Sequence, residues 1–568
     1  MTATDATPPK TSAAQPAIVR WLWRQVRERY SAVGLALGTL FLACSLTPSL
    51  LPRSVTFQGV VSGVSLTLGY GIGRLIAWLW SYLEIPSLGR QRRRQVTIAM
   101  SVICAAIAIA FLARANAWQN TVRSIMGLEA SSSGRPFSVG AIALLVFGVL
   151  HVVGWELRRL AAFFGRLFDR ILPRRVATVL GVVVAVTLFW NIANGVLLGA
   201  LVRTVDRSSQ EFDQVIGDGL KQPDDPGKTG SAASLITWEK LGHMGRTFVA
   251  SGPTAADIGA FHGAVAQEPI RVYVGMHAAE TPAERAKLAL QELIRVGGFN
   301  RSMLVLVTPT GTGWIDPASL GPLEYITRGD VATVAAQYSY LPSVFSLLTE
   351  ASNGAEMAQA MFEEIYGYWT QLPRATRPKL YLHGVSLGAL NSDLSFDLFD
   401  VLRDPPDGAF WAGPPFRSRS WNRITEDRQP DSPPWLSRFR DGSVVRFSNQ
   451  HGGLTTGRAQ WGPFRMAYLQ YGSDPVTFFS GTSLFREPEW LRAPRAPDVS
   501  PAMRWYPIVT MVQVAADLAA GAEAAPLGFG HNYAPKHYID AWVALLEPPR
   551  WTDAESQRLK ALYADYQH

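Results

Sequence analysis

The sequence contains little cysteine and little charge. Its 568 residues include two cysteines, Cys44 and Cys104, which both lie inside apolar runs, so we expect neither a disulfide bond nor a cysteine metal site. Charged residues account for only 17% of the chain and hydrophobic residues for 48%, a more apolar balance than in average soluble domains. The sequence also has no internal repeat and no metal-ligand cluster. We therefore expect no cofactor, more than one domain, and membrane segments.

Five apolar runs occupy the N-terminal third of the chain. Each is long enough, or nearly so, to cross the hydrocarbon core of a bilayer. The first is not interpreted as a cleavable signal peptide, because it is long and four more runs follow it. The runs are 32–51, 59–80, 97–112, 138–155 and 176–201. The sequence thus predicts a disordered, basic cytoplasmic segment at 1–30 and a five-helix transmembrane domain at 31–202.

The net charge of +8 is better explained by membrane topology than by nucleic-acid binding, because clusters of arginine flank the apolar runs. Arginines precede the first run and separate the second from the third and the fourth from the fifth, whereas the other two connections are poorer in them. The positive-inside rule places the N-terminus in the cytoplasm. Five spans then put everything after Leu201 outside the inner membrane, and an even number would reverse this. The expected partner is a lipid bilayer; the oligomeric state is not indicated.

Strand and helix patterns alternate from residue 269 to the end. This alternation predicts an α/β domain with a mostly parallel sheet covered by helices, here residues 269–568. The segment 203–268 connects it to the membrane domain. The segment 404–441, rich in Pro, Arg and Trp, is expected to be an insertion that roofs the site. Strand patterns lie at 270–276, 302–308, 330–338, 379–383, 443–449 and 464–471, and helix patterns at 282–296, 350–370, 502–520 and 536–546.

The motif G-x-S-x-G stands between a strand pattern and a helix pattern. The apolar run at 379–383 precedes it, and a helix that opens with small residues follows Ser386. A nucleophile on such a sharp turn needs small neighbours, which Gly384 and Gly388 provide. The helix start directs free N–H groups at the site, and that of Leu387 can stabilise an oxyanion. The motif predicts a nucleophile elbow with Ser386 as the nucleophile.

A serine nucleophile requires a base and a carboxylate that orients the base. On this architecture the usual chain order is serine, acid, histidine, with the acid on a loop after a later strand. Asp474 follows the strand pattern at 464–471 and is the predicted acid; the alternative is a turn-capping role. Asp393 and Asp397 share the helix of the nucleophile, and Asp441 lies in a predicted hairpin.

The predicted base is His531, which lies in a glycine-flanked loop just before the last helix pattern of the domain. Such a loop allows a histidine to lean over the nucleophile. His537 is the alternative base, although it falls at or inside that helix. His383 precedes the elbow within the strand and is interpreted as structural.

A second oxyanion donor normally comes from a loop after an earlier strand. The glycine-containing segment after the apolar strand 302–307 fits this position, and its backbone N–H groups can approach a substrate carbonyl. Thr310, Gly311 and Thr312 are the candidate donors, and the spacing does not choose among them. An ordinary glycine-rich turn is the alternative interpretation.

These motifs resemble the α/β-hydrolase superfamily. Specifically, the chain resembles a bacterial family of membrane-anchored α/β-hydrolases, in which a multi-helix membrane domain precedes the catalytic domain. The resemblance covers almost the whole chain and is carried by residues 310–314, 337–343, 384–388, 473–476 and 530–531. It implies a serine-hydrolase mechanism on lipid-like or acyl-ester substrates. The candidates for lining a substrate pocket are Trp314, Tyr338, Tyr340 and His451.

Three functions are compatible with these residues. The first is a membrane-anchored serine esterase or lipase outside the cytoplasmic membrane. The second is an acyltransferase that passes the acyl group from Ser386 to a sugar, lipid or cell-envelope hydroxyl, since the two reactions share their steps until deacylation. The third is a non-catalytic binding or scaffold domain. The presence of serine, acid and histidine in the expected order favours an enzyme.

Overall fold

The computed structural model describes residues 31–566, with gaps at 88, 132–134, 199–205, 207, 211–212, 214–218, 344–345, 347–350, 456–458 and 522–523. The predicted disordered segment 1–30 lies outside the described residues. The chain divides into two compact units. The first contains the described part of Met1–Thr47 with Arg53–Asn120 and Ser131–Trp155, and the second contains Pro48–Pro52, Thr121–Ala130 and Glu156–His568.

Four helices among the described residues are long and apolar enough to cross a membrane, where the sequence predicts five. Helix α1, Ala32–Ser45, has 14 residues, and its length of about 21 Å falls short of a hydrocarbon core of roughly 30 Å. The apolar run continues beyond α1 because Leu50 and Leu51 are buried in the core of the second unit. The four long helices are α2 (Val55–Tyr82), α3 (Arg90–Ile125), α4 (Arg135–Phe168) and α5 (Arg174–Asn191).

Helix α2 packs through two pairs of glycines spaced four residues apart. A Cβ on Gly69 would lie 2.5 Å from the carbonyl oxygen of Leu37 in α1, and Gly73 is equally close to Gly34. On another face, a Cβ on Gly63 would lie 2.7 Å from the carbonyl oxygen of Ala143 in α4. Small residues at this spacing let helix backbones approach closely, which is the usual source of packing between helices in lipid.

The second unit is built on a sheet of seven strands, all of whose neighbouring pairs are parallel. The strand order is β1-β3-β2-β4-β5-β7-β6. Central strands such as β2 are buried along their whole length, which explains their uninterrupted apolar sequences. The strands are β1 (Ile270–Val274), β2 (Met303–Thr308), β3 (Val331–Ala336), β4 (Lys379–Val385), β5 (Gly408–Ala412), β6 (Val445–Ser448) and β7 (Arg465–Leu469).

Helices connect and cover these strands, as the sequence predicts for an α/β domain. Helix α8 begins with a capping box in which Thr281 and Glu284 exchange hydrogen bonds, so its start is fixed locally. The helices are α6 (Gly242–Ala250), α7 (Ala255–His262), α8 (Pro282–Arg295), α9 (Pro317–Ile326), α10 (Ala351–Trp369), α11 (Leu387–Asp393), α12 (Leu398–Val401), α13 (Arg419–Glu426), α14 (Pro475–Phe478), α15 (Val509–Ala520), α16 (Pro535–Leu546) and α17 (Asp553–Leu562).

Strand β5 corrects the predicted insertion at 404–441. Residues Gly408–Ala412 pair with β4 on one side and β7 on the other, so this part of the segment is a central strand of the sheet. Its five residues stand between prolines and a glycine, and so short an apolar run gave no strand signal. The chain leaves the sheet only after Ala412, and α13 then packs Trp421 against Gln470, whose side-chain oxygen accepts the indole N–H at 2.6 Å.

Two short N-terminal segments belong to the second unit, and both contribute side chains to the core that surrounds the sheet: Leu50 and Leu51 from Pro48–Pro52, and Val122 and Met126 from Thr121–Ala130. Buried Asp517 of α15 accepts hydrogen bonds from the hydroxyl of Ser49 and, at 3.1 Å, from the N–H of Leu50. The core of this unit is therefore completed by residues from far upstream in the chain.

Candidate active site

Ser386 occupies the turn between β4 and α11 in a strained backbone conformation. Its φ of 57° and ψ of −124° lie where residues other than glycine are rarely found. The N–H of Ser386 donates to the carbonyl oxygen of Ala412 at the end of β5, at 2.9 Å. This hydrogen bond ties the turn to the neighbouring strand. The side chain is nearly buried and is presented at the carboxyl edge of the sheet.

The two glycines of the motif are required by close backbone contacts. A Cβ on Gly384 would lie 2.3 Å from the carbonyl carbon of Gly388, across the turn. A Cβ on Gly388 would lie 2.1 Å from the carbonyl oxygen of Thr308, at the end of β2. Neither distance can accommodate a side chain. The backbone of the turn therefore packs closely against the start of α11 and against the end of β2.

Asp474 and His531 are joined by a hydrogen bond of 2.8 Å between His531 Nδ1 and Asp474 Oδ2. Asp474 follows β7 and is completely buried, and His531 lies in the loop before α16. The other ring nitrogen, Nε2, is buried and has no hydrogen-bond partner among the described residues. A carboxylate on Nδ1 fixes the tautomer in which Nε2 carries a lone pair. That nitrogen is therefore equipped to accept a proton.

Gly413 connects this histidine to the serine turn. It follows Ala412, whose carbonyl oxygen holds the N–H of Ser386. Gly413 has a φ of +57°, and a Cβ there would lie 2.7 Å from His531 Cε1 and 2.8 Å from Tyr533 Cε2. The imidazole ring therefore packs directly on the backbone beside the anchor of Ser386. This position places the ring and the serine at the same edge of the sheet.

Among the described residues, the carboxylate of Asp474 takes part in five hydrogen bonds. Its Oδ1 accepts the N–H groups of Val476 and Thr477 at 2.8 and 3.3 Å, so it caps the short helix α14. Its Oδ2 accepts the hydroxyl of Tyr533 at 2.7 Å and that of Thr477 at 3.1 Å, beside His531. The carboxylate thus performs both roles considered from the sequence, the cap and the partner of a histidine. Burial and the charge of Asp474 raise the pKa of Tyr533 well above its ordinary value, which keeps this donor protonated.

The alternative base, His537, is buried inside α16. The hydroxyl of Tyr471 lies 2.5 Å from its Nδ1 and accepts the N–H of Ala534. Burial, assisted by the nearby positive charge of Lys536, lowers the pKa of His537 to about 3. His537 is thus a buried, neutral ring bonded to a tyrosine, whereas His531 is bonded to a carboxylate, so the geometry favours His531.

His383 is buried in β4, as the sequence predicts. Its ring nitrogens contact the carbonyl oxygen of Phe410 at 2.8 Å and the hydroxyl of Ser319 at 3.1 Å. Burial lowers the pKa of His383 to about 4. Because His383 and His537 bind protons less readily when folded than when unfolded, the stability that they contribute is present above pH 6.5. It is lost as the pH falls from 6.5 toward these lowered pKa values.

The rival acids have other partners. Asp393 accepts the N–H of Ser420 at 3.1 Å, and burial raises its pKa. Asp441 is exposed and accepts the N–H and hydroxyl of Ser443, which lower its pKa. Asp397 accepts the N–H of Phe399 at 2.9 Å. None of these bonds involves a histidine.

The loop after β2 narrows the choice of oxyanion donors. The N–H of Thr310 donates to the carbonyl oxygen of Trp314 at 3.0 Å, so this predicted donor is already engaged. Gly311 and Thr312 remain as candidates on this loop. On the other side, Leu387 is the first residue of α11, and its N–H has no acceptor within that helix. The contact between Gly388 and Thr308 brings the two donor segments together.

Two buried side chains that sequence patterns did not reveal hold this loop in place. Gln337 donates from Nε2 to the carbonyl oxygen of Thr312 at 3.1 Å. Tyr273 donates its hydroxyl to the carbonyl oxygen of Gly313 at 2.8 Å. Both lie on or directly after neighbouring strands, β3 and β1. Their partners are backbone atoms, which leave no signature in a sequence.

The four predicted pocket residues occupy different environments. Trp314 lines a cavity of about 240 Å³ with Arg271 and Glu324, and Ser386 is not among its lining residues. Tyr338 is buried in the core. The hydroxyl of Tyr340 lies 3.1 Å from Nδ1 of His277, and His451 is exposed on the loop after β6. These contacts do not include Ser386, and the lining of a substrate pocket by the four residues stays a prediction.

No group of three His, Cys, Asp or Glu side chains in the part of the chain that the structure describes is placed to hold a metal ion.

The parallel sheet, with a strained serine turn at its carboxyl edge, is consistent with an α/β-hydrolase fold. The chain belongs to an alpha/beta-hydrolase family, whose sequence profile matches residues 270–559, and the profile for the N-terminus of an alpha/beta-hydrolase family matches residues 46–253. No curated protein and no solved structure matches the chain. The family assignment confirms the predicted resemblance, with a membrane-type domain followed by a hydrolase domain.

Proposed function

We propose that the protein is a membrane-anchored serine hydrolase that cleaves acyl esters of lipid-like substrates. The observation that carries this proposal is the Asp474–His531 hydrogen bond, with an unpartnered buried Nε2 on the ring that packs over Gly413. Beside it, Ser386 is held in a strained turn by its bond to Ala412. A scaffold domain would have no need of this combination.

In the proposed reaction, the hydroxyl of Ser386 attacks the ester carbonyl carbon while His531 Nε2 accepts its proton. Asp474 holds the ring and stabilises the imidazolium that forms. His531 then delivers the proton to the leaving alcohol, and the C–O bond of the ester breaks. Water enters, His531 removes its proton, and the resulting hydroxide attacks the acyl carbon. The bond to Ser386 Oγ then breaks, His531 returns the proton to Oγ, and the acid leaves.

The developing oxyanion is stabilised by backbone donors at helix α11 and the loop after β2. The N–H of Leu387 lies at the positive end of the helix dipole. Gly311 or Thr312 supplies the second donor. A side chain on Gly311 would collide with the carbonyl oxygen of Leu341, 2.7 Å from its Cβ position, so the loop requires glycine at this position.

The side of the membrane is proposed from two buried segments and the arginine clusters. Residues 48–52 and 121–130 share a core with the sheet, so they lie on its side of the membrane. Helices α2 and α3 lie between these two segments, and α4 and α5 follow residues 121–130. Each pair of helices crosses the membrane twice, so the chain returns to the same side after each pair. The helix ends and the connection on the opposite side carry Arg90, Arg92, Arg93, Arg94, Arg158, Arg159, Arg166, Arg170, Arg174 and Arg175. The positive-inside rule makes that opposite side cytoplasmic and the hydrolase domain extracytoplasmic, whether or not α1 spans.

Labelling with a fluorophosphonate probe tests the catalytic proposal. The purified protein in detergent is expected to react, and the reaction is expected to vanish in Ser386→Ala and His531→Ala. His537→Ala serves as the matched histidine control and is expected to keep labelling. A folded wild-type protein that does not react, or a Ser386→Ala variant that still does, would refute the serine mechanism. Product analysis with and without alcohol acceptors then separates hydrolysis from acyl transfer.

Cysteine labelling tests the proposed side. In a background of Cys44→Ser and Cys104→Ser, the substitution Val265→Cys places a thiol at a fully exposed position of the hydrolase unit. Gln91→Cys places one in the arginine-rich first turn of α3. A membrane-impermeant maleimide is expected to label Val265→Cys in intact cells and Gln91→Cys only after permeabilisation. The reverse pattern would refute the orientation.

A further inference from the structure

A buried hydrogen-bond network joins the loop that carries the acid to the loop that carries the histidine. Ser473 directly precedes Asp474, and Gly530 directly precedes His531. The N–H of Gly530 donates to the hydroxyl oxygen of Ser473 at 2.9 Å. The two catalytic side chains are therefore linked twice, once through their own hydrogen bond and once through the residues before them.

Asp498 anchors this connection. Its Oδ2 accepts the hydroxyl of Ser473 at 2.7 Å and the N–H of the same residue at 2.9 Å. The carboxylate is almost completely buried, and hydrogen bonds to a buried charge are among the strongest available to a side chain. Because both the backbone and the side chain of Ser473 bind one oxygen, the serine is fixed in position and in rotamer.

Gln450 extends the anchor to the start of the histidine loop. Its Nε2 donates to Asp498 Oδ2 at 2.9 Å and to the carbonyl oxygen of Gly528 at 3.2 Å. The loop is also closed on itself, because the N–H of Gly528 donates to the carbonyl oxygen of Asn532 at 2.7 Å. A closed loop held at two points moves as one piece with the segment that carries the acid.

We infer that Ser473 and Asp498 are positioning residues that set the register of His531 against Asp474, an inference that rests on the proposed function. Proton transfer tolerates little misplacement, because a displacement of about 1 Å can cost about 100-fold in rate. Neither residue touches the reacting atoms. Each acts through the backbone of the two loops, so its loss weakens the turnover step and leaves substrate binding intact.

The full-length protein with Ser473→Ala tests the inference on a soluble nitrophenyl ester. The variant loses the acceptor for Gly530 and one donor to Asp498. We expect kcat to fall about 10- to 100-fold with KM changed less than about 2-fold, and fluorophosphonate labelling to slow by the same factor as kcat. Asp498→Asn keeps an oxygen acceptor of the same shape and is expected to retain most of the activity, whereas Asp498→Ala is not.

Ser437→Ala is the matched control, because among the described residues the hydroxyl of this buried serine donates only to the carbonyl oxygen of Pro434, within its own turn. It is expected to lose some thermal stability but no kcat. The inference is overturned if Ser473→Ala loses no more kcat than Ser437→Ala. If Ser473→Ala does not fold, Gln450→Ala carries the test. We then expect a fall in kcat of about 3- to 10-fold with KM unchanged, and wild-type kcat would overturn the inference.

The proposed function and this inference fail in different ways. A wild-type protein that the probe does not label removes the serine mechanism and the inference together. In the other case the wild-type protein is labelled and Ser386→Ala is not, while Ser473→Ala keeps the wild-type kcat and labelling rate. That result leaves the mechanism intact and removes only the positioning role.

Discussion

Gly413→Ala is predicted to damage catalysis through a single methyl group. The new Cβ would lie 2.7 Å from His531 Cε1 and 2.8 Å from Tyr533 Cε2. Ordinary carbon contacts lie at roughly 3.5–4.0 Å, so the imidazole ring must move by about 1 Å. The ring cannot move freely, because its Nδ1 is bonded to Asp474. The new methyl group can therefore be accommodated only if the hydrogen bond between His531 and Asp474 is distorted.

The expected effect on turnover follows from this displacement. A shift of about 1 Å in a general base costs about 100-fold in kcat, or about 2.7 kcal/mol in the activation free energy. The substitution also forces alanine into a left-handed conformation, which costs about 1–2 kcal/mol in folding free energy. The thermal midpoint is therefore expected to fall as well.

Gly263→Ala separates the two effects. Gly263 has a similar φ of +63°, and apart from its chain neighbours no heavy atom of the described residues lies within 4 Å of its Cβ position. Its substitution by alanine carries the same backbone strain without any contact. We expect both variants to lose similar thermal stability in detergent, while only Gly413→Ala loses kcat and fluorophosphonate labelling. A Gly413→Ala variant with wild-type kcat would contradict the placement of His531 over this residue.

Three further predictions concern the acid, a buried histidine and the upstream segment. Asp474→Asn is expected to lower kcat about 10⁴-fold with little loss of fold, measured by ester hydrolysis and circular dichroism. His537→Gln is expected to keep activity. Its stability is expected to fall less than that of the wild type between pH 6.5 and 4 in thermal unfolding, by up to about 1.4 kcal/mol per pH unit. A pH dependence equal to that of the wild type would contradict the burial of His537 as a neutral ring. Leu51→Ala is expected to lose about 2–5 kcal/mol of stability in thermal unfolding, and equal loss in the exposed control Leu562→Ala would contradict the core contact.

The sequence was sufficient to predict the elements whose patterns are local. Strand β2 is an uninterrupted apolar run because both of its faces are buried. The glycines around Ser386 predict a turn that only small residues allow. Asp474 and His531 could be chosen because their order and loop positions follow the topology of the sheet. Their hydrogen bond is a tertiary contact, and only the structure contains it.

The features that the sequence did not reveal depend on contacts between distant residues. Strand β5 has only five residues, and its identity comes from pairing with β4 and β7 rather than from its own pattern. Ser473 and Gly413 resemble ordinary turn residues until their neighbours are known. The first apolar run, 32–51, was predicted to span as a whole for a related reason, because leucines buried in protein and leucines buried in lipid look alike in a sequence.

The upstream segment at 48–52 has a consequence for how the molecule is made. Ser49 and its partner Asp517 are 468 positions apart, so Ser49 is synthesised long before Asp517. The hydrolase unit must therefore fold around a peptide that is already in place, and a loop of this length must close before the core is complete. A C-terminal fragment made alone would present an unfilled apolar slot where Leu50 and Leu51 belong. Such a fragment, expressed on its own, is expected to aggregate. A peptide that supplies those leucines is expected to rescue it.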